Sequence, residues 1–243
     1  MRYLMTFSYD GTNYNGYQKQ KNGITIQDTI EHILTRINGN NQVHISASGR
    51  TDAHVHAIAQ KAHFDLNVNI DSEQIKKALN SMLPKDIYIK EVIEVNDYFH
   101  ARYDVKEKEY MYIINVGEYN PMERNYVYQY NKNLDIDAMK KAILYLLGEH
   151  DFRSFTKVDE EKDNYVRTIK KVSILVDNNK IIINFIGTGF LRYMVRNMVG
   201  TLIGVGEGKF SSEDIAKIIE LKDRTKAGKT APPEGLYLKN VFY

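Results

Sequence analysis

The chain has 243 residues, 43% of them hydrophobic, which is enough to build a substantial core in one large or two modest domains. Its 33 basic and 31 acidic residues nearly cancel, so a net charge of +2 does not by itself announce a polyanionic partner. The absence of cysteine excludes disulfides, thiolate catalysis and cysteine-held metal; no apolar run reaches bilayer length and no signal-peptide core is present, so a cytoplasmic protein without a membrane segment is expected.

Arg2 to Tyr9 places Tyr3, Met5, Phe7 and Tyr9 on one face and Arg2, Thr6 and Ser8 on the other, the period of a half-buried strand. Asp10 to Gly23 is rich in Gly, Asn, Tyr and Gln and has no period; it reads as an irregular arm, either a solvated connection or a ligand-binding segment. Thr25-x-x-Asp28 is a capping-box pattern opening a helix striped by Ile26, Ile30, Ile33, Leu34 and Ile37 and closed by Gly39. Strands are expected over Val43 to Ser48 and near residues 60 to 65. A helix begun at Asp71 or Ser72 follows, with Ile75, Ala78, Leu79 and Met82 inward, and then a strand over Ile87 to Val95. This β-α-β-β-α-β order is that of a split βαβ, or ferredoxin-like, unit.

Tyr98 to Tyr103 joins the halves, so the chain divides into an N-terminal α+β domain over residues 1–103 and a C-terminal one over 104–243. In the second half, strands are expected near 107–116, 125–130, 167–177, 180–187 and 236–242. Helices are expected from Ile136 to Leu147 and near 190–206 and 212–221. Lys157 to Asn164 is charged and aperiodic and reads as a loop. The two halves read as variations on one plan of mainly antiparallel sheets with helices. The helix from Phe190 is apolar around most of its circumference, which predicts burial. Arg192 and Arg196 interrupt it on a stripe continued by Gly200 and Gly204, where missing side chains allow a neighbouring backbone to approach. Such arginines either meet an anion, a carboxylate or an RNA phosphate, or snorkel to solvent.

Ser48 to His56, the polar segment between two strand patterns, is the candidate active loop, and Asp52 is its only carboxylate. Gly, Thr and Asp are also ordinary turn residues. His54 and His56, if both lay on a strand, would share a face and could bind zinc, although no nearby Cys or Glu completes such a site. Lys19, Lys21, Arg50, Arg102, Arg153, Arg167, Arg192 and Arg196 lie in or near loops and motifs, and the 18 tyrosines supply stacking faces, a combination that permits an RNA ligand.

Five separated motifs, in order, extend this reading: Gly49-Arg50-Thr51-Asp52-Ala53-x-Val55-His56-Ala57, Phe99-His100-Ala101-Arg102, Lys108-Glu109-Tyr110-x-Tyr112, Met194-Val195-Arg196-Asn197-Met198-Val199-Gly200 and Glu234-Gly235-Leu236-Tyr237-Leu238. Together with Tyr9-Asp10-Gly11-Thr12-x-Tyr14-x-Gly16-Tyr17-Gln18-x-Gln20, they resemble the tRNA pseudouridine synthase A (TruA) family over residues 3 to 242. The resemblance implies two ferredoxin-like domains meeting at an RNA-binding cleft. It implies isomerisation of uridine to pseudouridine in the anticodon stem-loop of tRNA, at positions 38, 39 and 40, by a homodimer with no cofactor and no metal.

By the same resemblance Asp52 is the essential carboxylate, nucleophile or base, and Arg196 its ion-pair partner. Tyr110 stacks on the target base and is a candidate proton relay, Arg50 holds the vacated space, Leu236 and Tyr237 line the pocket, and Arg102 belongs to the substrate-binding set. Two departures stand out, His54 where the family usually has glycine and Tyr17 where it often has tryptophan. Two other readings of the same residues are a non-catalytic RNA-binding protein, which has no use for Asp52, and a metal-dependent hydrolase built on Asp52, His54 and His56.

Overall fold

The computed structural model describes residues 1–157 and 164–243, so most of the charged stretch from Lys157 to Asn164 lies outside the described residues. Ten strands and five α-helices form among the described residues, a mixed α/β fold whose strand pairs are mostly antiparallel. No helix among the described residues is long and apolar enough to cross a membrane. The chain makes two compact units, residues 1–106 with 237–243, and residues 107–236.

The first unit contains β1 (Arg2–Tyr9), α1 (Ile26–Ile37), β2 (Ser46–Ala47), β3 (His56–Asp65), α2 (Ser72–Met82) and β4 (Ile87–Val95). In space the order is β4-β1-β3-β2, each neighbour antiparallel. Local chemistry starts both helices: Thr25 accepts from the Asp28 N–H, and Asp71 accepts from the Glu73 and Gln74 N–H groups. Ile26, Ile30, Ile33 and Leu34 of α1 and Ile75 and Leu79 of α2 are buried, as are Tyr3, Met5, Phe7 and Tyr9 on β1. Each such side chain contributes about 1.5–3 kcal/mol by leaving water.

Two expectations are corrected here. Of Val43 to Ser48, Ser46 and Ala47 alone pair as a strand, opposite His63 and Ala62, while β3 begins at His56 and so reaches back into the candidate loop. The closing strand, Leu236–Phe242, expected in the second half, has its residues Tyr237 to Phe242 in the first unit, where Tyr237 and Leu238 run parallel to His56 and Ala57. The Lys106 N–H donates to the Phe242 carbonyl at 2.9 Å and the Tyr243 hydroxyl donates to the Ala101 carbonyl at 2.6 Å, fastening this strand to the segment after β4.

The second unit holds β5 (Glu107–Asn115), β6 (Tyr128–Gln129), α3 (Ile136–Leu144), β7 (Gly148–Asp151), β8 (Val166–Asp177), β9 (Lys180–Gly187), α4 (Met194–Gly206) and α5 (Asp214–Leu221). β7, β8 and β9 form an antiparallel meander, β9 pairs with β5, and β6 lies parallel to β5. β7 has no counterpart among the expected strands; its four residues, Gly-Glu-His-Asp, are partly exposed and pair only with β8. α4 begins at Met194, so Arg192 precedes the helix instead of sharing a stripe with Arg196. The expected approach of a neighbouring backbone is met at Gly200, whereas at Gly204 a side chain fills the space. A Cβ on Gly200 would lie 1.7 Å from the Lys229 carbonyl oxygen, and one on Gly204 would lie 2.7 Å from the Phe210 ring.

Candidate active site

The loop around Asp52 is fixed from below by a buried polar cluster. Ser48 N–H donates to the Lys61 carbonyl at 2.8 Å, its hydroxyl donates to Gln60 Oε1 at 2.7 Å, and Gln60 Nε2 donates to the Gly49 carbonyl at 3.0 Å. Thr51 Oγ1 and the Tyr9 hydroxyl are 2.8 Å apart and buried. Burial pushes the Tyr9 phenol up to about 12, so it stays a neutral donor and acceptor throughout the working range of pH.

From above, the loop is clasped by the arm after β1. Tyr17 N–H donates to the Thr51 carbonyl at 3.1 Å, His54 N–H donates to the Tyr14 carbonyl at 3.3 Å, and Gly11 N–H donates to His56 Nδ1 at 3.1 Å. A Cβ on Gly11 would lie 2.1 Å from the Val55 carbonyl oxygen, so glycine is what lets arm and loop touch. Tyr14 and Tyr17 are buried and the Tyr14 hydroxyl donates to Asp86 at 2.6 Å, so the arm is packed on the unit as far as Tyr17, while residues 18–23 are exposed. Its glycines at 11 and 16 are the sequence signal for that closeness.

Within this frame Asp52 is half-buried and its carbonyl accepts from the Val55 N–H at 3.2 Å. Arg50 is exposed, and its guanidinium makes no hydrogen bond or ion pair among the described residues. His54 sits in the left-handed region, at φ +64°, with Nδ1 2.8 Å from the Thr12 carbonyl oxygen. His56 opens β3, buried, with Nδ1 accepting from Gly11 and lying 3.2 Å from Asp10 Oδ1, and its ring stacks on Tyr237 at 4.8 Å. The two imidazoles therefore do not line one strand face, and the His-x-His zinc reading loses its geometric premise. No group of three or more metal-ligating side chains gathers among the described residues.

Arg102 is exposed on the segment after β4, its guanidinium 6.0 Å from the Tyr103 ring centre. Behind it, His63 is buried and accepts the Ala101 N–H at Nδ1, 3.1 Å away. Burial first, then charge repulsion from His100 and from Arg2, lowers the His63 imidazole to about 4.

In the second unit Arg196 lies on the first turn of α4, held by its own Nε–H donating to the Ala231 carbonyl at 2.7 Å while Ala231 N–H returns a bond to the Arg196 carbonyl at 3.0 Å. The guanidinium groups of Arg192 and Arg196 lie 4.8 and 5.5 Å from the ring centre of Tyr193, whose backbone is also left-handed at φ +62°. Asn197 is buried and accepts from Arg224 at 2.9 Å and from Thr230 at 2.7 Å, tying the 224–231 segment across α4. Tyr110 is buried on β5 with its ring against the edge of Phe190, centres 5.0 Å apart. Leu236 is buried and Tyr237 half-buried at the start of the closing strand. Gln60, Tyr193 and Ala231 escape a motif reading, because what they do is hold a neighbour through contacts distant in sequence.

These features define a mixed α/β protein whose loop over residues 48–56 carries one half-buried aspartate and, two residues earlier, an exposed arginine with no hydrogen bond or ion pair among the described residues. The chain belongs to the tRNA pseudouridine synthase family, a family of isomerases, whose sequence profile matches residues 5–104 and 142–243. It is 48% identical to the tRNA pseudouridine synthase A of Exiguobacterium sp. (strain AT1b) over 242 residues, covering 100% of this chain and 98% of the relative. It is 46% identical to that of Anoxybacillus flavithermus, with the same coverage, and 47% identical to that of Pseudothermotoga lettingae, covering 100% of this chain and 99% of the relative. Among solved structures, a Cbf5-Nop10-Gar1 complex gives a TM-score of 0.32 at 10% identity over 82% of this chain and 54% of that one, too low to bear on the argument.

Proposed function

We propose that the protein isomerises uridine to pseudouridine in the anticodon stem-loop of tRNA, at positions 38, 39 and 40, with Asp52 as the essential carboxylate and no cofactor. The reaction breaks the N1–C1′ bond, turns the uracil and joins C5 to C1′; the proton on C5 is lost to solvent and the freed N1 takes one up in its place. No electron is gained or lost and no outside group is transferred. Asp52 in its ionised form either attacks C1′ or removes the C2′ proton, and both roles need a carboxylate held still against a flipped nucleotide.

Arg196 pairs with Asp52 and keeps it ionised. Tyr110, its plane set by Phe190, stacks on the target base and stands by as a proton relay. Leu236 and Tyr237 line the pocket, Arg50 takes the space that the base leaves, and Arg102 binds the RNA. The two units act as two ferredoxin-like domains flanking an RNA-binding cleft, and the working form is a cytoplasmic homodimer.

The single observation that carries the reading is the fixation of Asp52: a lone carboxylate in a loop bonded on one side to Gln60 and Tyr9 and on the other to the arm. Such pre-organisation is what positioning a reactive group demands and what an ordinary turn lacks. Full-length likeness to relatives that carry the synthase name supports it. The test is release of tritium from C5-tritiated uridine in unmodified tRNA, with the modified position mapped. Release mapped to the anticodon arm by the parent protein, and none by Asp52→Asn with RNA binding kept, is the expected result. Release by Asp52→Asn at the parent rate overturns the assignment, and tRNA binding without release by either favours the non-catalytic RNA-binding reading.

A further inference from the structure

His54 holds a backbone conformation that L residues avoid, with φ +64°, yet its side chain is exposed and fills no core space that would explain its presence. Strain kept at a loop position asks what the side chain does there. The ring is not loose. A carbonyl oxygen only accepts, so the 2.8 Å contact between Nδ1 and the Thr12 carbonyl makes Nδ1 the protonated nitrogen. In the neutral imidazole Nε2 is then an acceptor, and it has no hydrogen-bond partner among the described residues. Thr12 is itself fixed, its N–H and hydroxyl both donating to Asp10 Oδ1 at 2.9 and 2.6 Å. The result is an oriented, solvent-facing acceptor on the loop that carries Asp52.

We propose that His54 is a substrate-binding residue whose Nε2 accepts a hydrogen bond from the 2′-hydroxyl of a nucleotide next to the target uridine. The proposal rests on the reading of residues 48–56 as the loop that meets the reacting nucleotide. The acceptor calls for a donor on the RNA, and among sugar and backbone groups the choice is clear. A phosphate oxygen has no proton to give a neutral nitrogen, whereas the 2′-hydroxyl is a donor that every RNA nucleotide carries and DNA lacks.

The experiment measures dissociation constants and steady-state kinetics for a synthetic anticodon stem-loop RNA, and for copies with single 2′-deoxy substitutions at each nucleotide flanking the target. The proteins compared are the parent, His54→Gly and His54→Asn. Glycine and asparagine both accept a left-handed backbone, so the fold is kept and the melting temperature of either variant should match or exceed that of the parent. The expected result is a roughly three- to tenfold weaker Kd and higher KM for His54→Gly with kcat nearly unchanged, the size of one lost hydrogen bond. One deoxy substitution should weaken the parent by the same factor and leave His54→Gly no weaker still.

The proposal is overturned if no flanking deoxy substitution weakens the parent, or if His54→Gly binds as the parent does. It is also overturned if the loss in His54→Gly adds in full to every deoxy loss; a salt-dependent loss of that kind would assign the contact to phosphate. Because Kd is read without turnover, a parent protein that binds RNA but forms no pseudouridine fails the catalytic reading and leaves this test in force.

Discussion

The loop around Asp52 and the start of α4 around Arg196 each position one charged residue, by different physical means. The loop is held by directional bonds from both sides, Tyr9 and Gln60 below and the arm above, with glycine at 11 to let backbones touch. α4 is held by burial: Met194, Val195, Met198, Val199, Leu202 and Ile203 leave water, and Gly200 admits the Lys229 backbone against the helix. Hydrogen bonds contribute about 1 kcal/mol each, while every buried apolar side chain contributes about 1.5–3 kcal/mol. Damage to the loop should therefore move Asp52 without unfolding the unit, whereas damage to α4 should cost stability as well as activity.

The largest effect that sharpens this contrast is Asp52→Asn, which should lower tritium release by at least about a thousandfold with the melting temperature unchanged, since charge is removed and shape kept. Arg196→Ala should come next, lowering kcat by roughly tenfold to a thousandfold and also melting earlier, because its bond to the Ala231 carbonyl is lost. A double-mutant cycle with Asp52→Asn should be strongly non-additive, and full additivity would show that the two residues do not act as a pair.

A pair of glycine substitutions tests the contrast directly. Gly200→Ala forces a Cβ to within 1.7 Å of the Lys229 carbonyl oxygen and should destabilise by about 2–3 kcal/mol in denaturant unfolding. Gly11→Ala, with its Cβ 2.1 Å from the Val55 oxygen, should push the arm off the loop, lowering kcat more than stability. Equal losses of stability in the two variants would break the comparison.

The smallest expected effect is a pH dependence set in the first unit by His63. Its folded-state pKa, about 4, lies below the ordinary 6.5. The stability it contributes is thus complete above pH 6.5 and is lost as pH falls toward 4, at no more than about 1.4 kcal/mol per pH unit. Protonation must break the bond from the Ala101 N–H and place a cation beside Arg2 and His100, with Asp65 and Asp104 offsetting part of the cost. Melting temperature followed from pH 7 to pH 4 should fall more gently in His63→Asn, and identical slopes would rule out this source.

Much of the local architecture follows from short-range signals. Thr25 and Asp71 mark helix starts because a side-chain oxygen satisfies N–H groups two or three residues on, and β1 is readable because alternation needs only neighbours. The same holds for Gly200 and Gly204, whose missing side chains already called for a close neighbour although not for which one. What could not be read is what depends on distant partners. The strand at Val43 to Ser48 shrinks to two residues because the Val43 and Ile45 N–H groups donate to Thr35 and Glu31 of α1. Arg192 leaves the Arg196 stripe because Tyr193 turns left-handed before α4 begins.

The sequence by itself determined the order of most elements, the candidate carboxylate and, through motifs in fixed order, the family. Tertiary structure decided that the closing strand joins the first unit beside His56, that the arm after β1 packs on the Asp52 loop, and that His54 and His56 point to separate tasks. The reason is physical: caps and periodicity act within one turn or one strand, whereas strand partners and left-handed residues are set by contacts tens to hundreds of residues apart, where loop-closure entropy is spent and recovered only in the assembled fold.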